Sequence, residues 1–357
     1  MYPFPHLRLQ LLCFVLLCVF SAGAQDTLSL RVMFYNCENL MDTVNDPLTA
    51  DDDFTPRGSH HWTSFRLWEK LNRLTRVILA AGEGRPPALI GLAEIENDSV
   101  LSQWLRNRAM WKMGYRYLIT SGIDTRGIDV GLFYQPHRFR LLGWEALRIP
   151  MPEGTRPTRD LLHAWGRIPS GDTLDVVVCH LPSRLGGARA SRPARRAAHL
   201  RLRALMDSLL YIRRQPALIV MGDMNDYPVT KTFLRDLRLG DPERDAIHTD
   251  SVYDLMIPLH RRLQRGKLPT GSHKYAGDWG FLDHFLVNGL LLDTASVPYL
   301  RNPRPFSLPF MLTEDRTHFG MRPQRSYYGF SWEGGYSDHL PVLVDLVCSM
   351  SFQANEP

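Results

Sequence analysis

Residues able to bind cations or move protons recur at the ends of apolar runs. Asn36 and Glu38 follow Leu30 to Tyr35, Glu94 follows Leu89 to Ala93, and His180 follows Val176 to Cys179. Asp223, Asn225 and Asp226 follow Leu218 to Gly222; Asp338 and His339 precede Val342 to Val347; Asp283 and His284 lie inside Phe281 to Val287. Taken singly, a carboxylate beyond a strand is a turn or cap residue, as is expected of Asp226, and a histidine inside a strand, such as His284, is structural. The recurrence changes the reading. If the strand ends meet, carboxylates, histidines and amides share a small volume, and their repulsion is destabilising unless a hard cation sits among them. Oxygen donors without cysteine suit Mg²⁺ or Mn²⁺, with Ca²⁺ also acceptable. No cysteine and histidine spacing of the zinc type occurs.

The elements that must position these residues follow from period and punctuation. Strands are predicted over 28–35, 88–93, 115–120, 130–134, 174–179, 217–221, 281–287 and 342–347, and helices over 64–81, 99–108 and 193–213. Leu67, Leu71, Leu74, Val77 and Ile78 form the apolar stripe of a helix packed on a sheet, and Trp62 and Trp68 are expected to join that core. The strands do not alternate uniformly with helices, which favours a mixed α/β (α+β) sandwich of two sheets over a barrel. The polar stretches 42–61 and 300–335 are expected to be substrate loops or disorder. No linker divides residues 25–357, so one catalytic domain is expected.

The chain has 357 residues, 44% of them hydrophobic and 22% charged, which excludes disordered, collagenous and coiled-coil classes. Residues 1–24 combine a basic start, an apolar run from Leu11 to Phe20 and the small residues Ala22-Gly23-Ala24. This is read as a secretory signal peptide, giving a secreted or periplasmic protein. Lipoprotein anchoring is disfavoured because Cys18 follows Leu16-Leu17. Removal of the signal leaves Cys37, Cys179 and Cys348, so at most one disulfide can form.

The segments N-C-E-N-L (36–40), G-L-A-E-I-E-N (91–97), R-G-I-D-V (126–130), C-H-L-P-S-R (179–184), M-G-D-M-N-D (221–226), W-G-F-L-D-H-F (279–285) and Y-S-D-H-L-P-V (336–342) together resemble the endonuclease/exonuclease/phosphatase superfamily. G-D-x-N followed by S-D-H is the most specific part. The resemblance covers roughly residues 28–348 and implies a four-layer sandwich, two mixed β-sheets face to face with helices outside. It also implies roles. Glu94 would bind the metal, with Asn36 and Asp338 in the metal region. His339, oriented by Asp283, would hold positive charge near the phosphate. Asp223 would activate water or assist the leaving oxygen, and Asn225 would donate to a nonbridging oxygen. His180 would face the phosphate from the other side, with Asp129 as its partner. Ala93 and Cys179 depart from the glutamine and asparagine frequent at those places, and Cys37 from a common apolar residue.

Arg126 and Arg184 are candidate phosphate contacts because guanidinium presents planar paired donors. From Arg184 to Arg203 there are seven arginines and no acid. Arg192, Arg195, Arg196, His199 and Arg203 fall on one helical face, which with a formal net charge of +5 suggests polyanion binding. The expected function is that of a Mg²⁺-dependent nuclease with little sequence preference, monomeric and without a stable protein partner. A lipid or sugar phosphoesterase, such as a sphingomyelinase-like or inositol-phosphate hydrolase, is the alternative, with Tyr327, Tyr328, Phe330 and Trp332 as conceivable parts of a membrane-inserting hairpin. A noncatalytic polyanion-binding protein is the second alternative.

Overall fold

The computed structural model describes residues 27–350, so the expected signal peptide lies outside the described residues. Nineteen strands are present among them: β1 Thr27–Leu40, β2 Leu89–Ile95, β3 Arg116–Ile119, β4 Asp129–Tyr134, β5 Arg140–Leu147, β6 Leu161–Arg167, β7 Thr173–His180, β8 Ala217–Asp223, β9 Leu239–Gly240, β10 Val252–Asp254, β11 His273–Tyr275, β12 Asp278–Gly280, β13 Asp283–Asn288, β14 Tyr299–Pro305, β15 Leu312–Glu314, β16 Met321–Pro323, β17 Tyr327–Tyr328, β18 Ser331–Trp332 and β19 Val342–Ser349. The helices are α1 Ser64–Gly82, α2 Asp98–Leu105, α3 Arg108–Met113, α4 Arg192–Ile212, α5 Lys231–Leu237 and α6 Met256–Gln264.

Two mixed sheets form, in the orders β14-β19-β1-β2-β4-β3 and β5-β6-β7-β8-β13-β10-β9. Side chains alternate across each strand and both faces are covered, which is why the strands read as continuous apolar runs. Leu30, Val32 and Phe34 of β1 meet Ile219 and Met221 of β8 in the core between the sheets. Met33, Tyr35 and Cys37 face outward against Leu67, Leu71, Leu74 and Trp104 of α1 and α2. Leu218 and Val220 face outward on the other side, against Leu202, Met206 and Phe233 of α4 and α5. Helices, sheet, sheet and helices therefore stack as four layers.

β1 is parallel to β2, and β7 to β8. Parallel neighbours need a crossover, which α1 and α4 supply. This brings the C-terminal ends of four strands to one end of the sandwich. β13 runs antiparallel to β8 and β19 antiparallel to β1, so both begin at that same end.

Several expectations are corrected. Trp62 is fully buried, but Trp68 is exposed on the outer face of α1. The helix expected over 99–108 is two shorter ones, α2 and α3, separated at Arg106 and Asn107. β5 and β6 went unread because β5 is an exposed edge strand and Gly166 and His163 interrupt the apolar pattern of β6. The 300–335 stretch is structured: β14 joins the first sheet, two hairpins follow, and Met311 and Tyr327 enter the outer core. Cys37, Cys179 and Cys348 are all buried and free.

Candidate active site

The converging strand ends place the expected polar residues side by side. In the second sheet His180, Asp223 and Asp283 form one row, because His180 is in register with Asp223 and Asp223 with Asp283. β8 approaches β7 closely at Gly222, where a Cβ would lie 2.2 Å from the Cys179 carbonyl oxygen. In the first sheet Asn36 is in register with Ala93, next to Glu94. Glu94 has φ of 61° and Asn225 of 51°, left-handed backbone that is uncommon for such residues and aims their side chains away from the regular pleat.

Asp223 is the centre of the group. The Asn36 amide Nδ2 donates to its Oδ2 at 3.1 Å and lies 3.3 Å from Glu94 Oε1, bridging the two sheets. Asp223 Oδ2 is 3.5 Å from His180 Nε2 and 3.8 Å from His339 Nε2, while Oδ1 accepts from the Asn225 backbone N–H at 2.9 Å. Glu94 is pinned by the Asn39 N–H, which donates to Oε2 at 2.8 Å. His339 Nδ1 lies 2.8 Å from Asp283 Oδ2, and the loop carrying it is tied back by Ser337, whose hydroxyl donates to the Asn36 carbonyl.

Burial and mutual charge set the protonation states. Burial raises the Asp223 carboxyl to about 7, aided by Asp283 and Glu94 against the pull of His339. Burial opposes a charged His339, yet Asp283, Asp223 and Asp338 outweigh it and raise its pKa well above the ordinary value. His180 moves the other way: burial, then Arg159, Arg126 and His339, keep it neutral. The site thus holds one cationic and one neutral imidazole around a shared carboxylate.

The donor set also fits a cation. Oxygens of Asp223 and Asp283 lie within 4.8 Å of one another and could take it, while the neighbouring His339 ring, protonated, has no lone pair to add. Asp283 Oδ1 is buried without a hydrogen-bond partner. Glu94 meets no lysine or arginine in an ion pair among the described residues, its basic neighbour being the neutral His180 ring at 4.0 Å.

Other expected residues fall elsewhere. Asp129 does not reach His180: its carboxylate accepts from Thr120 Oγ1 at 2.6 Å and the Gly122 N–H at 3.0 Å, capping a turn, and His180 Nδ1 has no partner. The acids near His180 are Asp223 and, at 4.0 Å, Glu94. Asn225 spends one amide hydrogen on the Leu181 carbonyl at 2.9 Å. Asp338 lies on the far flank of His339, 3.3 Å from Arg325.

The arginine face of α4 is corrected in part, Arg192 and Arg196 being exposed and the rest not. Arg195, His199 and Arg203 are buried, not presented to a ligand. Arg195 pairs with Asp226, His199 Nε2 is 3.4 Å from the same carboxylate, and Arg203 pairs with Asp207. Arg184 also donates to Asp226, at 2.6 Å, and lies over the Tyr227 ring. Asp226, expected as a cap, is instead the fully buried anchor of this cluster. Arg192 remains exposed at the start of α4, and Arg126 lies half-exposed, 3.4 Å from Asp124.

Residues unread in the sequence complete the walls. Buried Arg159 donates to Asp124 at 3.0 Å and to the Leu181 carbonyl at 3.0 Å, bringing positive charge beside His180. With Arg126 and Arg156 it lines a cleft of about 430 Å³. On the opposite flank a cavity of about 220 Å³ is lined by Glu38, Asn39, Lys70, Arg325 and Asp338. Lys70, fully buried on α1, donates to the Glu38 carbonyl and to Ser326 Oγ, and burial with Asp338 nearby raises Glu38 to about 7. No local signal marks Arg159 or Lys70, since each acquires its role from a partner distant in the chain.

A sequence model described as the endonuclease/exonuclease/phosphatase family matches residues 31–347. No curated protein matches the sequence significantly. Among solved structures, an endonuclease/exonuclease/phosphatase family protein from Bacteroides thetaiotaomicron has a TM-score of 0.55 at 15% identity, covering 94% of this chain and 100% of its own. D. rerio TDP2 complexed with a single-strand DNA product has a TM-score of 0.53 at 16% identity, over 89% and 98%. A mannosyl-6-phosphatase from Bacteroides thetaiotaomicron VPI-5482 has a TM-score of 0.54 at 15% identity, over 89% and 99%. At these identities the likeness is one of fold.

Proposed function

The chain belongs to the endonuclease/exonuclease/phosphatase family, whose members are metal-dependent phosphoric ester hydrolases, and from that premise we propose that it cleaves phosphodiester bonds of nucleic acids with Mg²⁺. The observation that carries the reading is the single carboxylate, Asp223, contacted by Asn36 and lying between His180 and His339 at the joint of both sheets. A divalent cation held by Glu94 and the carboxylates beside it would polarise the phosphate and offset its charge, with Asn36 orienting those carboxylates through its amide N–H groups.

The chain's own residues supply the rest. Asp223, with its pKa near neutrality, is matched to accepting a proton from the attacking water. The His339 imidazolium, held by Asp283, places positive charge where the phosphorane oxygens develop. His180, neutral and tethered at a strand end, presents Nε2 to the same space. The remaining amide hydrogen of Asn225 is available to a nonbridging oxygen.

Support for a nucleic acid comes from the formal net charge of +5, from the cleft lined by Arg126, Arg156 and Arg159, and from the DNA product bound by the similarly folded TDP2. The buried arginines of α4 no longer count toward it. A second reading, a sugar phosphomonoester, is favoured by the polar cavity around Glu38 and Lys70 and by the mannosyl-6-phosphatase of the same fold. Plasmid DNA, single-stranded RNA, sphingomyelin, inositol phosphates and mannose 6-phosphate, each supplied with Mg²⁺ or chelator, separate these. Hydrolysis of the nucleic acids alone, abolished by chelator, is expected; turnover of mannose 6-phosphate alone overturns the phosphodiester reading.

A further inference from the structure

Three hairpins beside the site carry large aromatic rings that the protein does not cover. Phe319 is 86% exposed, Phe330 71%, Tyr275 70% and Tyr328 47%. They form a connected ridge. β11 bridges to the catalytic loop through His273, which pairs with His339, so Tyr275 stands two residues from that contact. Lys274 Nζ donates to Asp315 at 2.8 Å and to the Phe319 carbonyl at 2.7 Å, fastening the β15–β16 turn to β11. Thr317 Oγ1 lies 3.2 Å from the Tyr328 hydroxyl, which joins that turn to the β17–β18 hairpin. Phe330 then packs 5.4 Å from the His60 ring, itself stacked on Phe54 at the wall of the 220 Å³ cavity.

Exposing four aromatic side chains forfeits apolar burial, and such a patch marks an interaction surface. Arg316 is exposed three residues before Phe319, and Arg322, whose charge is met by Glu333, lies 4.9 Å over the Tyr328 ring. Exposed rings that begin next to a phosphate-cleaving centre match a ligand whose planar bases can stack on them while its phosphates run toward that centre. A duplex hides its base faces, so only an unpaired strand offers this pattern.

We propose that the ridge of Tyr275, Phe319, Tyr328 and Phe330 is a stacking platform for single-stranded nucleic acid leading into the catalytic site. The inference rests on the phosphodiesterase reading above and deepens it by naming the strand state. The membrane surface is the competing occupant; the ridge's start two residues from the His273–His339 bridge favours a strand that must continue into the catalytic site.

The test is fluorescence anisotropy of labelled oligothymidylate with the full chain in chelator, where no cleavage occurs, beside a labelled duplex. Phe319→Ala with Phe330→Ala should weaken single-strand binding by about tenfold or more. Phe319→Tyr with Phe330→Tyr should retain it, and turnover of bis(p-nitrophenyl) phosphate with Mg²⁺ should be unchanged in both. Single-strand binding by an enzyme that cleaves no nucleic acid would leave the platform standing and defeat the phosphodiesterase reading. Nucleic acid cleavage with equal binding by the alanine variant would defeat the platform alone. Sedimentation with phosphatidylcholine and phosphatidylglycerol vesicles, lost in the alanine variant, together with no oligonucleotide binding, would also overturn it.

Discussion

At the scale of single residues, the account assigns unequal tasks to two histidines that look alike in the sequence. His339 is charged because Asp283 lies 2.8 Å away, whereas His180 has no such partner and sits near Arg159. His339→Ala should therefore reduce phosphodiester turnover by about 10²–10⁴-fold with an unchanged circular dichroism spectrum. Asp129 makes a sharper case. Its carboxylate caps the turn at Gly122, so Asp129→Asn should cost about 1–3 kcal/mol in urea unfolding while leaving the pH profile of kcat unchanged. A shifted profile would restore the His180 pairing that the geometry denies.

At the scale of elements, α4 is held to the end of β8 by charge rather than by ligand. Asp226 is fully buried; burial alone would raise its carboxyl, but His199, Arg195 and Arg184 outweigh this and hold it at about 2, against an ordinary 3.8. A folded-state pKa below the unfolded one stabilises the fold above about pH 4, and that gain, about 2 kcal/mol, is lost as pH falls toward 2. Asp226→Asn should destabilise by about 3–5 kcal/mol at neutral pH, since it leaves Arg195 buried without its partner. Urea midpoints at pH 7 and pH 3 should then converge in the variant. The same cluster shows what the sequence could and could not tell. Strands that are apolar on both faces and stop at a polar residue were readable, and so were Asn36, Glu94, Asp223, Asp283 and His339 as a gathering set. The arginine face of α4 was not, because Asp226, which pairs with Arg195, and Asp236, 3.8 Å from His199 Nδ1, arrive from beyond another strand. Edge strand β5 was missed because an exposed strand carries no apolar run, and Arg159 because its partners Asp124 and Leu181 lie on other segments.

At the scale of the whole molecule, both sheets contribute to the site, so cation binding should be felt by the entire sandwich. Adding Mg²⁺ to the chelated protein should raise its melting temperature in a concentration-dependent way, as any ligand of the folded state alone does. Glu94→Ala should blunt that rise, because Glu94 comes from the first sheet and Asp223 from the second. The central claim is that side chains from six strand ends act together as one metal-dependent phosphoester-cleaving centre. Its most direct measurement is the hydrolysis rate of bis(p-nitrophenyl) phosphate by the wild type and by Asp223→Asn, with Mg²⁺, after chelation and after Mg²⁺ is restored. The account predicts turnover that chelation abolishes, restored Mg²⁺ recovers, and Asp223→Asn removes by at least about a hundredfold. Turnover by the wild type that persists in chelator, or that Asp223→Asn leaves intact, would contradict it.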